Sequence, residues 1–448
     1  MIRKLSPALR IALGFIGVIV FGGLLLKLPF AIEDGVSLKW IDAFFTSTSA
    51  ACVTGLSTVD IGSVFSLFGE IVILVLMQIG GMGVMILTSY FFLSLGRAMS
   101  IKQRMLIQES FAGDYDVSWR ILVRTVINYV VVIELCGAIA LTVLFLPNFT
   151  IAEAIYNGIF HSVSAFCNGG ISLFSDSFIR FRDNPGINLV LVFLIVSGGI
   201  GFFVMWEIRQ WLELRKKRYR LSLHSKVVLV TTLIMIVGGT LAIWILESGN
   251  PAFGSTTLAS FWPSLFQSVT SRTAGFNTVN FSALGNDTIM LIMFFMFIGA
   301  SPGSCGGGIK TTTFAVIFML FWSRIRGGSH SNMFKRTLSP DLIGRSLGVA
   351  VAAAFVLLLG NVFLMVTDFS GGHYERGRFV EFLFESISAL GTVGLSLGVT
   401  PLLNNGGKII IMVLMYFGRV GIMAMLLQAV SSQRRHTIEY AEEGLMIG

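Results

Sequence analysis

Four polar turns, each set between two long apolar segments, constrain this chain more than any other feature. They read STSAACVTGLSTV from Ser47, SVSAFCNGGISLF from Ser162, SVTSRTAGFNTV from Ser268 and SISALGTVGLSLG from Ser386. Aligned on one glycine they give Val53-Thr54-Gly55, Asn168-Gly169-Gly170, Thr273-Ala274-Gly275 and Thr392-Val393-Gly394. The aligned glycines lie 115, 105 and 119 residues apart, and the serine that opens each segment precedes its glycine by eight residues, or seven in the third. A repeat of this length decides the architecture before any local reading does.

The surroundings say where these turns sit. Only 12% of the residues are charged and 54% are hydrophobic, with a mean hydropathy of +0.81; a soluble domain carries about 25% charged residues. A span needs about 20 apolar residues, and segments near 10–30, 70–94, 121–146, 187–209, 226–247, 288–323, 346–367 and 408–431 qualify, the sixth with a break. The first lacks a small-residue cleavage site and is expected to stay as a helix. The +8 net charge reflects topology, not nucleic acid. Of 32 Lys and Arg, 22 fall in segments on the side of the N-terminus, 7 on the other side, and Arg272, Lys310 and Arg419 at membrane depth. That bias places both termini in the cytoplasm.

Each repeat is thus a long helix, a short helix, a glycine turn and a second long helix. The short helices, expected at 38–51, 150–166, 258–270 and 378–390, cannot span. The second long helices repeat as well: Gly80-Gly81-Met82-Gly83, Gly198-Gly199-Ile200-Gly201, Gly299-Ala300-Ser301-Pro302 and Gly418-Arg419-Val420-Gly421 follow their turns by 25, 28, 24 and 24 residues. Small residues permit close helix packing, which explains most of the 49 glycines but not glycines in phase with four polar turns. Unpaired backbone is tolerated at membrane depth only when buried in protein or lining water. Four such turns on one axis would present a ring of carbonyls that replaces the hydration shell of a monovalent cation. Each short helix would aim its negative C-terminal dipole, roughly half a charge, at the same point. Thr54, Thr273 and Thr392 are expected to add hydroxyl oxygens or brace the turns. The fold expected is all-α and integral to the membrane, with units at 1–100, 101–220, 221–335 and 336–448 around a central pseudo-fourfold pore.

These segments, together with GASPGSCGGGIKTTTF from Gly299, resemble the Trk/Ktr/HKT superfamily of potassium transporters, and within it the membrane subunit of bacterial Ktr systems (KtrB type). The likeness covers nearly the whole chain. It implies a potassium-conducting pore subunit in the bacterial cytoplasmic membrane, with a selectivity filter at Val53, Thr54, Gly55, Asn168, Gly169, Gly170, Thr273, Ala274, Gly275, Thr392, Val393 and Gly394. It further implies a homodimer seated on a cytosolic ring of RCK-type, nucleotide-binding subunits (KtrA type). K+ is then cargo, no cofactor is expected on this chain, and nucleotide is expected only on the partner. One glycine pair among four turns leaves K+ over Na+ discrimination and Na+ coupling open.

The broken sixth segment carries the expected gate. Pro302 removes a backbone donor, and Gly303, Gly306, Gly307 and Gly308 disfavour helix. An intramembrane loop over 299–313, including Ser304, Cys305 and Lys310, would obstruct the pore and move to open it; the resemblance implies the same role. The plainer alternative is a helix kink with Lys310 reaching to the interface. A nucleotide loop is excluded, since Ile309 stands where the lysine belongs and no soluble strand–helix unit surrounds it. Arg419 replaces the small residue found at Gly81, Gly199 and Ala300. An arginine there costs at least about 2.5–3.5 kcal/mol to insert, so it is expected to repel cations or bind carbonyls of the loop; a bare interhelical hydrogen bond is the alternative. Arg272 is expected behind the third turn, braced by a carboxylate or carbonyl, with Glu385 a candidate partner. Cys52 and Cys167 are expected to pack behind their turns, and Cys136 to be an ordinary helix residue.

The four cysteines and five histidines are scattered, without metal-ligand or disulfide spacing. No HExxH, paired carboxylates or nucleophile–base motif points to an enzyme. A secondary cation exchanger or a Trk-type symporter is the rival reading; an exchanger would place carboxylates in mid-span, and Glu134 is the main candidate, without repeat partners. The cytosolic loop 209–226 and tail 432–448 are docking candidates, while RQWLELRKKRYR from Arg209 would also suit anionic lipid headgroups.

Overall fold

A computed structural model describes residues 7–98, 119–213, 220–254, 259–368 and 378–421; the tail 432–448 and residues 214–219 of the cytosolic loop lie outside it. Among the described residues the regular structure is helical, apart from one hairpin pairing Asn332–Met333 with Arg336–Thr337 and two isolated bridges. In order come α1 (Pro7–Leu26), α2 (Trp40–Cys52) and α3 (Leu67–Ala98), then α4 (Trp119–Phe145), α5 (Ile151–Phe166), α6 (Pro185–Ile200) and α7 (Phe202–Glu213). There follow α8 (Leu223–Leu246), α9 (Phe261–Thr270), α10 (Asn286–Phe297) and α11 (Thr311–Ile325), and last α12 (Pro340–Asp368), α13 (Arg378–Gly391) and α14 (Asn405–Val420). The short helices α2, α5 and α13 each pack on the long helices before and after them, while α9 packs on α8 before it and on α6.

The spans are less uniform than the hydropathy suggests. Among the described residues, Arg124–Phe145, Leu223–Leu246 and Pro340–Thr367 are each long and apolar enough to cross a bilayer. The fourth expected span is two helices, Pro185–Ile200 and Phe202–Leu212, bent by 101°. Apolarity alone hid this bend, because the residues on both sides of it are hydrophobic. The sixth is broken as expected, into α10 and α11.

The outer surface is apolar as well as the core. On α4, Leu135, Ile139 and Val143 are 58–60% exposed, a stripe at helical spacing that suits lipid and not water. Besides its apolar core, the interior holds buried hydroxyls, among them Ser47, Ser162, Ser268 and Ser386. These are the serines of the repeat, and each ties its short helix to the long helix before it. Ser47 donates to Ile19 O (2.7 Å), Ser162 to Glu134 O (2.7 Å), Ser268 to Ile236 O (3.0 Å) and Ser386 to Asn361 Oδ1 (3.5 Å). Glycines make room: a β-carbon at Gly22, Gly137 or Gly239 would lie 2.4–2.6 Å from the facing serine Oγ. Such interhelical bonds contribute about 0.6 kcal/mol each in a membrane, so their main effect is to fix where each turn sits.

Candidate functional site

The four turns share one backbone conformation. Val53, Asn168, Thr273 and Thr392, each two residues before the aligned glycine, have φ of 54°, 58°, 75° and 49°, and the glycines that follow have φ of 97°, 63°, 82° and 92°. Three of these non-glycine residues are β-branched, for which a left-handed backbone costs roughly 1–3 kcal/mol. Hydroxyls one turn back along the short helices hold it. Ser49 Oγ accepts from Gly55 N (3.0 Å) and Ser388 Oγ from Gly394 N (3.1 Å). Ser164 donates to Ile171 O (2.7 Å) and Thr270 to Phe276 O (2.6 Å).

The turns meet in cyclic order. A β-carbon at Gly55 would lie 2.7 Å from Gly169 O, at Gly170 2.7 Å from Ala274 O, at Gly275 2.7 Å from Val393 O, and at Gly394 2.2 Å from Thr54 O. Each contact joins a turn glycine to the carbonyl just before the next unit's glycine, and the fourth returns to the first. No side chain fits at any of the four positions, so glycine is required here by space as well as by φ.

Beneath this ring lies the segment between α10 and α11. Its ends are drawn together by an Ile298–Ile309 bridge. The Asn168 amide is bonded to the Thr273 hydroxyl (3.0 Å), and Thr392 Oγ1 accepts from Gly307 N (3.0 Å). A β-carbon at Gly306 would lie 2.2 Å from Thr273 Oγ1. Thr54 Oγ1 is buried without a partner among the described residues. Ser301 Oγ pairs with Thr311 Oγ1 (2.9 Å) and Ser304 donates to Ser301 O (2.6 Å). The Lys310 ammonium donates to Gly306 O (2.7 Å) and Gly307 O (3.4 Å), so it folds onto its own loop and does not reach outward. Gly303 and Gly308 have φ of 72° and 69°.

Arg419 lies under the same ring, 4% exposed. Its guanidinium donates to Cys305 O in the loop and to Gly80 O in α3. Cys52 and Cys167 are buried behind their turns, while Cys136 is exposed on a helix. Arg272 departs from expectation. Its contact is Thr232 Oγ1 (3.4 Å) on α8, and Glu385 is taken instead by the hydroxyls of Ser396 and Thr400, the latter at 2.8 Å. Their charges are complementary, but each turns to the hydroxyls of its own unit. Glu134, the mid-span carboxylate, accepts from Gln78 Nε2 (2.9 Å).

Two features escape a sequence reading. Lys408 pairs with Asp42 at 2.7 Å, both side chains under a tenth exposed; the bond joins α14 to α2, and 366 residues separate its ends. The bend at Gly201, with φ of 93°, is met by the loop itself, where Phe202 N–H donates to Gly303 O (3.1 Å). The Gly-Gly-Ile-Gly motif was the available signal for a break there.

A family model described as a cation transport protein, TrkH, matches residues 10–437. The chain is 36% identical to the Ktr system potassium uptake protein B of Bacillus subtilis (strain 168), over 99% of this chain and 97% of that one. It is 37% identical to the protein of the same name from Vibrio alginolyticus, over 98% and 94%, and 35% identical to the potassium/sodium uptake protein NtpJ of Enterococcus hirae, over 100% and 98%. Its fold is similar to that of the potassium transporter TrkH from Vibrio parahaemolyticus, with a TM-score of 0.72 at 22% identity, covering 95% of this chain and 85% of that one. The chain belongs to the TrkH family of cation transport proteins.

Proposed function

We propose that this chain is the potassium-conducting pore subunit of a bacterial Ktr-type uptake system. Four units, 1–100, 101–220, 221–335 and 336–448, surround a pseudo-fourfold axis, and K+ passes along it through the turns centred on Gly55, Gly170, Gly275 and Gly394. The observation that supports this most is the glycine-to-carbonyl contact repeated four times in a closed cycle. Carbonyls so placed can stand in for the water around a dehydrated cation. Potassium as the cargo follows the names of the relatives. The chain then has no chemistry to perform. Glu134 lies against Gln78 and lacks counterparts in the other units, which favours a pore over an exchanger.

The gate in this reading is the loop from Gly299 to Thr313. It lies under the ring, held by Thr392 and by Arg419. Arg419 sets a positive charge below the filter and fixes the loop there; displacement of the loop removes the obstruction. Both termini face the cytoplasm, the working form is a homodimer, and a cytosolic RCK-type ring carries the nucleotide. The Ktr system names of the relatives, which include a protein B and a protein D, support a multi-component system.

Reconstitution in liposomes tests the function. The purified chain is expected to pass 86Rb+ down its gradient, with no obligatory counter-ion, and to favour K+ over Na+. Strict one-for-one exchange against Na+ or H+ would overturn the pore reading.

A further inference from the structure

The bend between α6 and α7 and the gating loop complete each other's hydrogen bonding. An unbroken helix would pair Gly198 O with the N–H of residue 202, and Gly199 O with that of residue 203. The 101° bend at Gly201 breaks that ladder. The loop replaces it: Cys305 N–H donates to Gly198 O (3.1 Å), Ser301 N–H to Gly199 O (3.0 Å), and Phe202 N–H to Gly303 O (3.1 Å). An orphaned backbone group at this depth costs several kcal/mol. Neither the bent helix nor the loop can therefore relax alone.

We propose that Gly201 is a positioning residue for the gating loop and that α7 is the handle by which the loop is moved. This rests on the pore reading above. α7 starts at the clasp and runs toward the loop 209–226. Its Glu207 carboxylate accepts from Ser222 N (3.1 Å) and Ser222 Oγ (2.9 Å), which ties it to the start of α8. A displacement of α7 from the cytoplasmic side pulls directly on the Phe202–Gly303 bond and, through the Gly201 hinge, strains the two loop bonds to the end of α6, and so withdraws residues 301–305 from beneath the filter. Gly201 sets the rest position, because its missing β-carbon would lie 2.5 Å from Pro302 O.

The repeat supplies an internal control. Gly421 ends α14 as Gly201 ends α6, with nearly the same backbone: φ 92°, ψ 120° against φ 93°, ψ 142°. Among the described residues, a β-carbon at Gly421 meets nothing within 4 Å. Alanine at either position strains the backbone alike, but only at 201 does it push on the loop.

The test measures 86Rb+ uptake into liposomes by the full chain without any partner protein, comparing wild type with Gly201→Ala, Gly421→Ala, Phe202→Ala, Phe202→Pro and Arg419→Ala. Gly201→Ala is expected to raise uptake about tenfold, which is about 1.4 kcal/mol in the closed–open balance of the loop, and Gly421→Ala to stay at the wild-type rate. Should Gly201→Ala not yield folded protein, the Phe202 pair decides. Proline is tolerated at the first position of a helix, where its missing N–H breaks no helical bond. At 202 it removes only the donor to Gly303 O, so Phe202→Pro is expected to exceed Phe202→Ala about tenfold. The K+ to Na+ ratio is expected to be unchanged in all of them. Gly201→Ala no faster than Gly421→Ala, or Phe202→Pro no faster than Phe202→Ala, would overturn the proposal. If Arg419→Ala raises uptake in that case, only the handle fails; if it does not, the gating reading fails with it.

Discussion

The second long helix of unit III and its counterparts in units I, II and IV use the same glycine in opposite ways. In three units that glycine lets the helix run close along its short helix. A β-carbon at Gly80 would lie 2.1 Å from Ala51 O, at Gly198 1.8 Å from Phe166 O, and at Gly418 2.1 Å from Leu390 O. Each of these carbonyls lies four residues before the turn glycine. In unit III the atoms nearest a β-carbon on the equivalent Gly299 belong to its own loop, with Gly307 O at 2.1 Å. Three units therefore pack directly behind the ring, and unit III folds back beneath it. In the proposed gating, the repeat keeps its sequence register while one copy changes from scaffold to moving part.

The rigid side is expected to give the largest effect on stability. The Asp42–Lys408 pair closes unit IV onto unit I, and removing one partner of a buried pair costs about 3–5 kcal/mol. Asp42→Asn or Lys408→Met should each lower the thermal midpoint in detergent sharply. The double replacement with apolar residues should recover much of it. A single variant as stable as wild type would show that the ring does not depend on this closure.

Next come the packing glycines. Gly198→Ala and Gly418→Ala force a methyl into carbonyls and should destabilise by roughly 1–3 kcal/mol. Their 86Rb+ flux should fall, because the turn is pushed out of register. Arg419→Ala should do the reverse. It removes two charged hydrogen bonds of about 1.5–3 kcal/mol each, and uptake in the absence of a partner should rise by at least an order of magnitude. Unchanged flux would remove Arg419 from the gate. Gly299→Ala sharpens the comparison most, since the same methyl at the equivalent position presses on the loop. It should raise flux modestly where Gly198→Ala lowers it. If both lower it, the loop is scaffold like the rest.

The smallest expected effect is Ser47→Ala, which loses one bond of about 0.6 kcal/mol to α1. Its midpoint should shift by little, with flux intact.

Much of this was legible because it is periodic. The turn glycines, the serines seven or eight residues ahead and the break after Phe297 all recur or interrupt a recurrence. The short helices ended within a few residues of where the polar segments placed them. What stayed hidden depends on partners distant in sequence. Nothing near Lys408 names Asp42. In the apolar run Val190–Val204 the Gly-Gly-Ile-Gly motif permits a break but does not announce a bend of 101°, because the bonds that hold it come from residues 301–305. The left-handed backbone at Val53, Thr273 and Thr392 runs against the preference of β-branched residues, so local propensity pointed away from it. Arg272 and Glu385 fit by charge, yet each is satisfied by hydroxyls within its own unit.

The central claim is that the carbonyls of Thr54, Gly169, Ala274 and Val393 surround a dehydrated cation. Crystals of the protein grown in Rb+ and measured at the rubidium absorption edge test it directly. The account predicts an anomalous peak on the line enclosed by Gly55, Gly170, Gly275 and Gly394, lost when Rb+ is replaced by Li+. A protein that transports Rb+ in liposomes yet shows no such peak within the ring would contradict it.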